Sequence, residues 1–396
     1  MTRLKTSCIS KVDNRGYAVN AKQSRIDLGI ISDSNSFRKL SNDTPDLFKV
    51  AVQLNSDGNS LGLVKEQIFV GSGETWRNPN LADPLSHLPS FIKSSTTWID
   101  KSIFKEVLLT TIKDQLMIPY LFPDCNRQPQ LTQLSSLQSD NLGNIDVEVD
   151  TFLEKSVSNF DLILIRHSLE HSKNALKLLW NLKSLLAPNG KMVIEVPLFE
   201  ITNDMCFLEQ FWEEHVHYFT LNSLGSLVRL VGLNTLSTEV YSTENEPVIM
   251  MVLNQSATDI LPIIPQQFDL NTKSFTFSDI QDECARMQSF LTGMALENKL
   301  IFFGANHKTF NLIDLFVTSP QKVEIFDGDE RKIGRYGSKY NILIRPLSDL
   351  SSYKHDTIFT TLNTNKIKFL QSNSALPYSL TKRLMNIYQF VSTDFK

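Results

Sequence analysis

The chain has 396 residues, of which 41% are hydrophobic and 21% charged, as in folded globular proteins with two or three domains. A net charge of −4 gives no reason to expect nucleic-acid binding. No segment approaches the roughly 20 apolar residues of a membrane-spanning helix, and the first residues lack a signal-peptide pattern. Four widely spaced cysteines form no disulfide framework, so we expect a cytoplasmic protein with no membrane partner.

The first part of the chain, residues 1–85, is mixed and polar. It contains two strand-like runs, Leu47–Leu54 and Leu63–Val70. We expect this part to form a small N-terminal lobe.

The middle of the chain, residues 86–255, contains a strand–loop–helix–strand pattern. Leu162–Ile165 is an apolar run typical of a strand buried on both faces. Leucines then recur at helical spacing until Pro188-Asn189-Gly190, and Met192–Val196 is a second buried strand. The pattern predicts a parallel α/β sheet, whose ligands bind beyond the carboxyl ends of the strands. Polar side chains follow the first strand at such an end: Arg166, His167, Glu170 and His171.

The last part of the chain predicts a second Rossmann-like unit, residues 279–396. Ser256–Ser278 is rich in polar residues and proline and indicates a linker, and Asp279–Glu297 has helical periodicity. Lys299–Phe303 and Lys322–Phe326 are predicted to be buried strands, and an acid, Asp327, follows the second.

Three motifs of the middle part resemble those of class I S-adenosylmethionine (SAM) methyltransferases. They are His167-Ser-Leu-Glu-His171, Leu185-Leu-Ala-Pro-Asn-Gly190 and Glu195-Val-Pro197. The resemblance implies a Rossmann-like methyltransferase sheet and SAM as the cofactor.

Four further segments resemble the three-domain C-methyltransferases that act on nucleotide-linked deoxysugars. They are Phe211–Thr220, Gly304–Lys308, Phe326–Tyr336 and the N-terminal Ile26–Gly29. This resemblance covers most of the chain in the right order. It implies a nucleotide-linked sugar as substrate, and a methyltransferase sheet flanked by a small N-terminal lobe and a second Rossmann-like C-terminal domain.

The resemblance also assigns catalytic residues. A histidine that titrates near neutral pH suits proton removal from a carbon beside a carbonyl. The family's base matches His215, its sugar-orienting acid matches Glu214, and a further active-site histidine matches His171. Trp212 replaces a family tyrosine and is expected at the substrate with Lys308. The alternatives are a solvated loop around Glu214-His215 and a surface role for Lys308.

The cofactor segment departs from the family pattern. When the chain is aligned with the family pattern, the first predicted strand is Thr96–Asp100 and the second is Leu116–Phe122. The turn between them has no glycine, because none lies between Gly73 and Gly143, whereas close backbone approach to a ligand favours glycine. The residues that remain for cofactor contacts are Asp100, Asp124, Arg166 and His167. His167 could equally cap the helix that follows it.

Zinc is not expected, although the family's N-terminal domain binds zinc through paired cysteines. A tetrahedral zinc site needs about four Cys or His ligands. Before His87 the chain has Cys8 and no histidine. The sequence therefore predicts no metal site.

Two functions remain open. One is a divergent SAM-dependent C-methyltransferase with His215 as general base. The other is a catalytically inactive methyltransferase-like binding or scaffold protein that has lost SAM binding. The cofactor segment favours the second function, whereas His215, Glu214 and His171 favour the first.

Overall fold

The computed structural model describes residues 25–34, 36–54, 61–73, 75–77, 88–95, 104–115, 117–123, 129–134, 145–155, 159–199, 207–212, 214–242, 246–255, 277–353, 357–362, 367 and 383–388. The strands of this part are β1 (Arg25–Ser32), β2 (Ser36–Arg38), β3 (Leu47–Leu54), β4 (Leu61–Phe69), β5 (Thr75–Arg77), β6 (Glu106–Leu109), β7 (Gln130–Gln133), β8 (Phe160–Arg166), β9 (Leu186–Pro197), β10 (His217–Tyr218), β11 (Leu233–Ser242), β12 (Pro247–Gln255), β13 (Leu300–Phe303), β14 (Val323–Asp327), β15 (Tyr336–Gly337), β16 (Ile342–Pro346), β17 (Ile358–Thr360) and β18 (Leu384–Asn386).

The helices are α1 (Leu88–Ser95), α2 (Ile112–Gln115), α3 (Ile118–Leu121), α4 (Ile145–Lys155), α5 (Ala175–Ser184), α6 (Phe207–Gln210), α7 (Leu221–Val231), α8 (Phe277–Glu297) and α9 (His307–Phe316). A 3₁₀ turn spans Leu169–His171. Within the described ranges, no helix is long and apolar enough to cross a membrane.

The central sheet has the strand order β11-β12-β9-β8-β6-β7. Its strands β7, β6, β8 and β9 are parallel, and β12 runs antiparallel to β9. Buried leucines of α5 and α7 cover one face, and Phe91 and Met117 belong to the core on the other. Strand order reverses between β6 and β8, which makes the crevice beyond their carboxyl ends the expected ligand site. The predicted Rossmann-like class I methyltransferase fold is confirmed.

The first two strands of this sheet differ from the predicted ones. Thr96–Asp100 lies outside the described residues, and the strand that pairs with β8 is β6. The predicted second strand was wrong: the segment from Ile118 to Leu121 is helical, and β7 takes the strand position. Apolar spacing over so short a run does not distinguish a buried helical turn from a buried strand.

The helix after β8 is well specified by its sequence. The Asn174 side chain accepts a hydrogen bond from the backbone N–H of Lys177 at 3.0 Å and so caps α5. The helix buries four apolar residues, Ala175, Leu178, Leu179 and Leu182, and ends at Ser184. This packing fixes β8 and β9 side by side, with their carboxyl ends at one edge.

The C-terminal part is the predicted second Rossmann-like unit. Strands β18, β17, β13, β14 and β16 lie in this order and are parallel. Helix α9 starts just beyond β13, where Asn306 caps it by accepting from the backbone N–H of Thr309 at 3.0 Å. The turn uses Gly304 at φ +98°, a conformation that favours glycine.

The N-terminal strands join the sheets of their neighbours. Strands β2 and β5 extend the C-terminal sheet, and β10 of the middle part pairs with β4. The Asp314 carboxylate accepts from the backbone N–H and the hydroxyl of Ser32, both at 2.7 Å. Arg38 is fully buried and donates to Asn341 at 2.7 Å. These contacts bind the N-terminal strands to the C-terminal unit.

Candidate functional site

The carboxyl end of β8 carries a sharp turn. His167 follows the strand with φ +46°, a left-handed conformation in which histidine is commoner than most residues. The chain then enters the 3₁₀ turn Leu169–His171. The turn places Glu170 between two imidazoles, since its Oε1 lies 3.5 Å from Nδ1 of His167 and 3.9 Å from Nε2 of His171. The predicted capping role of His167 was wrong, because Asn174 caps the next helix.

A buried ionic network fills the crevice beyond β6 and β8. The Arg166 guanidinium lies 2.9 Å from Glu195 and 3.3 Å from Asp114, and the side chains of the three residues are at most 4% exposed. Its central carbon is 4.5 Å from the centre of the Phe91 ring. Tyr241 donates its hydroxyl proton to Glu195. Burial raises the pKa of Asp114 to about 6, although Arg166 opposes this shift.

These residues do not fit SAM in the ordinary way. In the structure the turn after β6 begins with Thr110 and Thr111, and it contains no glycine. The residue that follows β7 is Leu134, where a ribose-binding acid would be needed. The Arg166 network occupies the space beyond these strands. Two residues predicted to contact the cofactor, Asp100 and Asp124, lie outside the described part.

A second cluster, of aromatic and imidazole rings, surrounds His215. The ring centres of His171 and His215 are 4.9 Å apart, and that of Trp212 is 4.6 Å from His215. The Trp212 ring also stacks on His307, at 4.7 Å. His307 opens helix α9, so the C-terminal unit contributes directly to this cluster. The structure thus brings together three predicted residues, His215, His171 and Trp212.

Backbone bonds hold His215 in place. The N–H of Val216 donates to the carbonyl of Glu170 at 2.7 Å, and the carbonyl of Val216 accepts from Leu63 at 2.9 Å. The carbonyl of Glu214 lies 2.9 Å from Nδ1 of His171. Because a carbonyl can only accept, Nδ1 of His171 carries the proton. Glu214 therefore contributes its backbone to the cluster, and its predicted side-chain role stays a prediction.

The electrostatics favour neutral imidazoles at the centre of this cluster. Burial lowers the pKa of His215 well below 6.5, and the proximity of other imidazoles and of Lys308 lowers it further. Burial and Lys308 lower the pKa of His307 to about 3. Lys308 is the second residue of α9 and is near enough to affect both rings. His215 therefore does not titrate near neutral pH as expected of the base; its neutral imidazole keeps a lone pair that can accept a proton, but its low pKa makes it a weaker base.

A shallow pocket opens beside His215. Residues along its wall include Gln210, His217, Tyr218 and Glu246. The pocket therefore joins the end of α6, strand β10 and the segment before β12. Its lining includes His215 of the ring cluster.

Sequence reasoning missed several members of both clusters. His307 lies inside the quoted motif Gly304–Lys308, and its position beside Lys308 was the available signal. Glu170 was named among the polar residues after β8 but was given no role. Asp114 was given no role, and Glu195 lay in a quoted motif without one. Their pairing had no local signal, because their partner Arg166 is 52 and 29 residues away, respectively.

His167 makes folding stability depend on pH. Burial lowers its pKa, but bonds to Glu170 and Glu195 outweigh that effect and raise it from 6.5 to about 10. Between these values the folded state keeps a proton that the unfolded state has lost. The free energy of unfolding should therefore fall as pH rises through this range, by up to about 1.4 kcal/mol per unit.

Urea unfolding of the wild type and His167→Asn from pH 6 to 9 measures this slope. Asparagine tolerates the left-handed backbone, so the substitution chiefly removes the charge. We expect the wild type to lose stability more steeply than the variant. Parallel pH profiles would rule out the assigned protonation of His167.

Comparison with known proteins agrees with the fold. Residues 82–238, less than half of the chain, match the model of a methyltransferase domain. None of the curated proteins matches. The chain is thus methyltransferase-like, with the class I fold. Such a match implies SAM in general, whereas the described crevice does not fit it in the ordinary way.

Solved structures align with the same fraction of the chain. The mitomycin 7-O-methyltransferase MmcR is 12% identical over 43% of this chain and 54% of its own, with a TM-score of 0.32. The [4+2]-cyclase SpnF is 10% identical over 44% and 82%, with a TM-score of 0.31. An O-methyltransferase family protein from Burkholderia thailandensis is 12% identical over 44% and 59%, with a TM-score of 0.31. The aligned region thus spans only about half of the first of these proteins.

Proposed function

We propose that this chain is a divergent C-methyltransferase-like protein that binds a nucleotide-linked sugar. In this proposal His215 removes a proton from the sugar carbon next to a carbonyl. The observation that carries the proposal is the ring cluster, in which His171, Trp212 and His215 meet His307 of the second Rossmann-like unit.

The chemistry requires a neutral base at the end of an accessible pocket. His215 is 6% exposed and its pKa is held low by burial, so it is unprotonated at neutral pH. The C–H bond breaks, the proton moves to an imidazole nitrogen of His215, and the electron pair forms an enolate on the carbonyl oxygen. The described residues offer no ordinary place for SAM, so the proposed chemistry ends at the enolate. The proton can then return to carbon.

Binding of the substrate's anionic part is assigned to the start of α9, on the side of the ring cluster where His307 lies. Lys308 lies in the first turn of α9, where its ammonium group and the helix N-terminus both favour an anion. A nucleotide-linked sugar carries a diphosphate, which would meet this charge. The pyrophosphate would then direct the sugar toward Trp212 and His215.

Calorimetric titration with a nucleoside-diphosphate sugar tests this assignment. We expect Lys308→Ala to weaken binding about tenfold, the loss of one charge-assisted contact worth about 1.4 kcal/mol. Lys322→Ala is the matched control, since Lys322 precedes β14 at the opposite edge of the same sheet. Equal effects of the two substitutions would contradict a diphosphate site at Lys308.

A second function is favoured by the Arg166 network. A buried guanidinium with two carboxylate partners occupies the crevice where SAM would be expected. A methyltransferase-like binding protein without methyl transfer would have this feature. SAM affinity and proton exchange, described in the Discussion, separate this function from the first.

A further inference from the structure

We infer that Glu170, His171 and His215 form a binding site for a divalent transition-metal ion such as Zn²⁺. No metal site was predicted from the sequence, because that prediction rested only on the cysteines missing from the N-terminal part. The inferred site uses other residues, and it does not rest on the proposed function.

The three side chains converge in a buried space. Each offers one ligand atom, and these atoms lie within 4.8 Å of one another. Glu170 is 1% exposed, His171 4% and His215 6%. Two imidazole nitrogens and one carboxylate oxygen are a donor set that zinc and its neighbours bind, with a further position for water.

Two of the ligand atoms face one another. Nδ1 of His171 donates to the carbonyl of Glu214, which leaves Nε2 as the nitrogen that can bind a metal. That nitrogen lies 3.9 Å from Oε1 of Glu170. A metal ion between these two atoms would bind both. The bond from the ring to a backbone carbonyl is also the usual outer support of a metal-ligating histidine.

Glu170 gives the independent argument for a cation. Neither of its buried carboxylate oxygens has a hydrogen-bond partner among the described residues. The protonated imidazole of His167 forms a long ion pair with Glu170, with Nδ1 3.5 Å from Oε1. A buried carboxylate with so long a contact can take a metal ion as a closer partner.

The indole of Trp212 also supports the inferred metal site. Its Nε1 is buried and has no hydrogen-bond partner within the described part. The ring packs against both imidazoles, at 4.6 Å from His215 and 5.7 Å from His171. A metal-bound water would supply an acceptor near this ring. Ligand atoms of a tetrahedral zinc site lie about 3.4 Å apart. Since the atoms here are up to 4.8 Å apart, the side chains must approach by up to about 1.4 Å.

A bound ion would also change the chemistry of the pocket. It would take the lone pair of His215 that the proposed proton removal needs. Metal-loaded protein should therefore be inactive in proton exchange, and chelation should restore the exchange.

The test is titration of metal-free full-length protein with Zn²⁺, followed by Co²⁺ and its visible spectrum. We expect one ion per chain with micromolar or tighter affinity, and at least a 100-fold loss in Glu170→Gln and His215→Ala. Cys284→Ser, at a free cysteine of α8 outside the site, should bind as the wild type does. Co²⁺ should show the intense visible bands of a tetrahedral site without a thiolate band.

Two outcomes would overturn the inference. One is the absence of a stoichiometric ion in the wild type, and the other is unchanged affinity in Glu170→Gln. The wild-type measurements keep the test decisive if a variant fails to fold. Because no sugar is present, failure here is distinct from failure of the proposed function.

Discussion

Substitution of His215 by alanine is expected to lower the rate of proton exchange at the sugar carbon by about 10²- to 10⁴-fold, the usual loss for a positioned general base. The ring sits between His171 and Trp212, and backbone bonds on both sides fix the segment that carries it. The measurement is the rate at which solvent deuterium enters a nucleotide-linked keto-deoxysugar, followed by NMR.

His217→Ala is the matched control for this loss. His217 belongs to β10, which pairs with β4, and its ring stacks on Phe219 at 5.5 Å. We expect a small effect on exchange. Similar small effects of both substitutions would remove His215 from the role of base and favour the binding function.

The pH dependence of exchange gives a further check on the same residue. Because the pKa of His215 is well below 6.5, its lone pair stays available as pH falls from 8 to 6.5. The rate should decline only at lower pH, where the imidazole gains a proton. A decline centred at pH 6.5 or above would mean that the ring is not in its buried environment during the reaction.

Binding of SAM should be weaker by at least about 100-fold than in a methyltransferase with an intact glycine turn. Each lost close contact or hydrogen bond costs about 1 kcal/mol, and the turn at Thr110-Thr111 and the end of β7 lose several. The cofactor would also have to displace Arg166 from two buried carboxylates, which is costly because they would remain unpaired.

Calorimetric titration of the purified protein with SAM measures this affinity directly. We expect no saturation at micromolar concentrations. Titration with the nucleotide-linked sugar provides a control for active protein in the same preparation. A micromolar dissociation constant for SAM would contradict the assigned role of the Arg166 network and restore methyl transfer as the reaction.

Much of the fold could be predicted from hydrophobic periodicity and from the proline, glycine and polar residues that separate helices and strands. The apolar run before Arg166 predicted β8, and the helical leucines predicted α5. The end of the helix was predicted too late, because α5 ends at Ser184, and Pro188-Asn189-Gly190 lies inside β9, which begins at Leu186 rather than Met192. The second Rossmann-like unit was predicted in the same way. Long, strongly patterned segments are those that sequence specifies locally.

The first two strands of the central sheet could not be predicted in this way. Residues 117–122 are apolar because α3 packs them against β6 and β8, and such a run reads equally well as a strand. The positions of the two predicted strands were taken from the family pattern. That alignment fails here because the glycine turn that anchors it is absent. Strand β6 has only four residues, and its identity depends on pairing with β8.

The site was predictable where its residues lie inside motifs. His171, Trp212 and His215 meet in one cluster, and Lys308 lies close enough to shift the pKa of His215. The ionic network was not predictable, because it joins Asp114, Arg166, Glu195 and Tyr241 across 127 residues of chain, from 114 to 241. Only the folded structure shows that Arg166 is paired with these carboxylates and is therefore not free to bind a cofactor.

The most direct test of the account is deuterium exchange by the metal-free wild-type protein in the absence of SAM. The protein is incubated in D₂O with a nucleotide-linked keto-deoxysugar, and the signal of the proton next to the carbonyl is followed. The account predicts loss of this signal in wild-type protein at a rate far above that in buffer, and no comparable loss with His215→Ala. An exchange rate equal to that in buffer, with sugar binding intact, would contradict it.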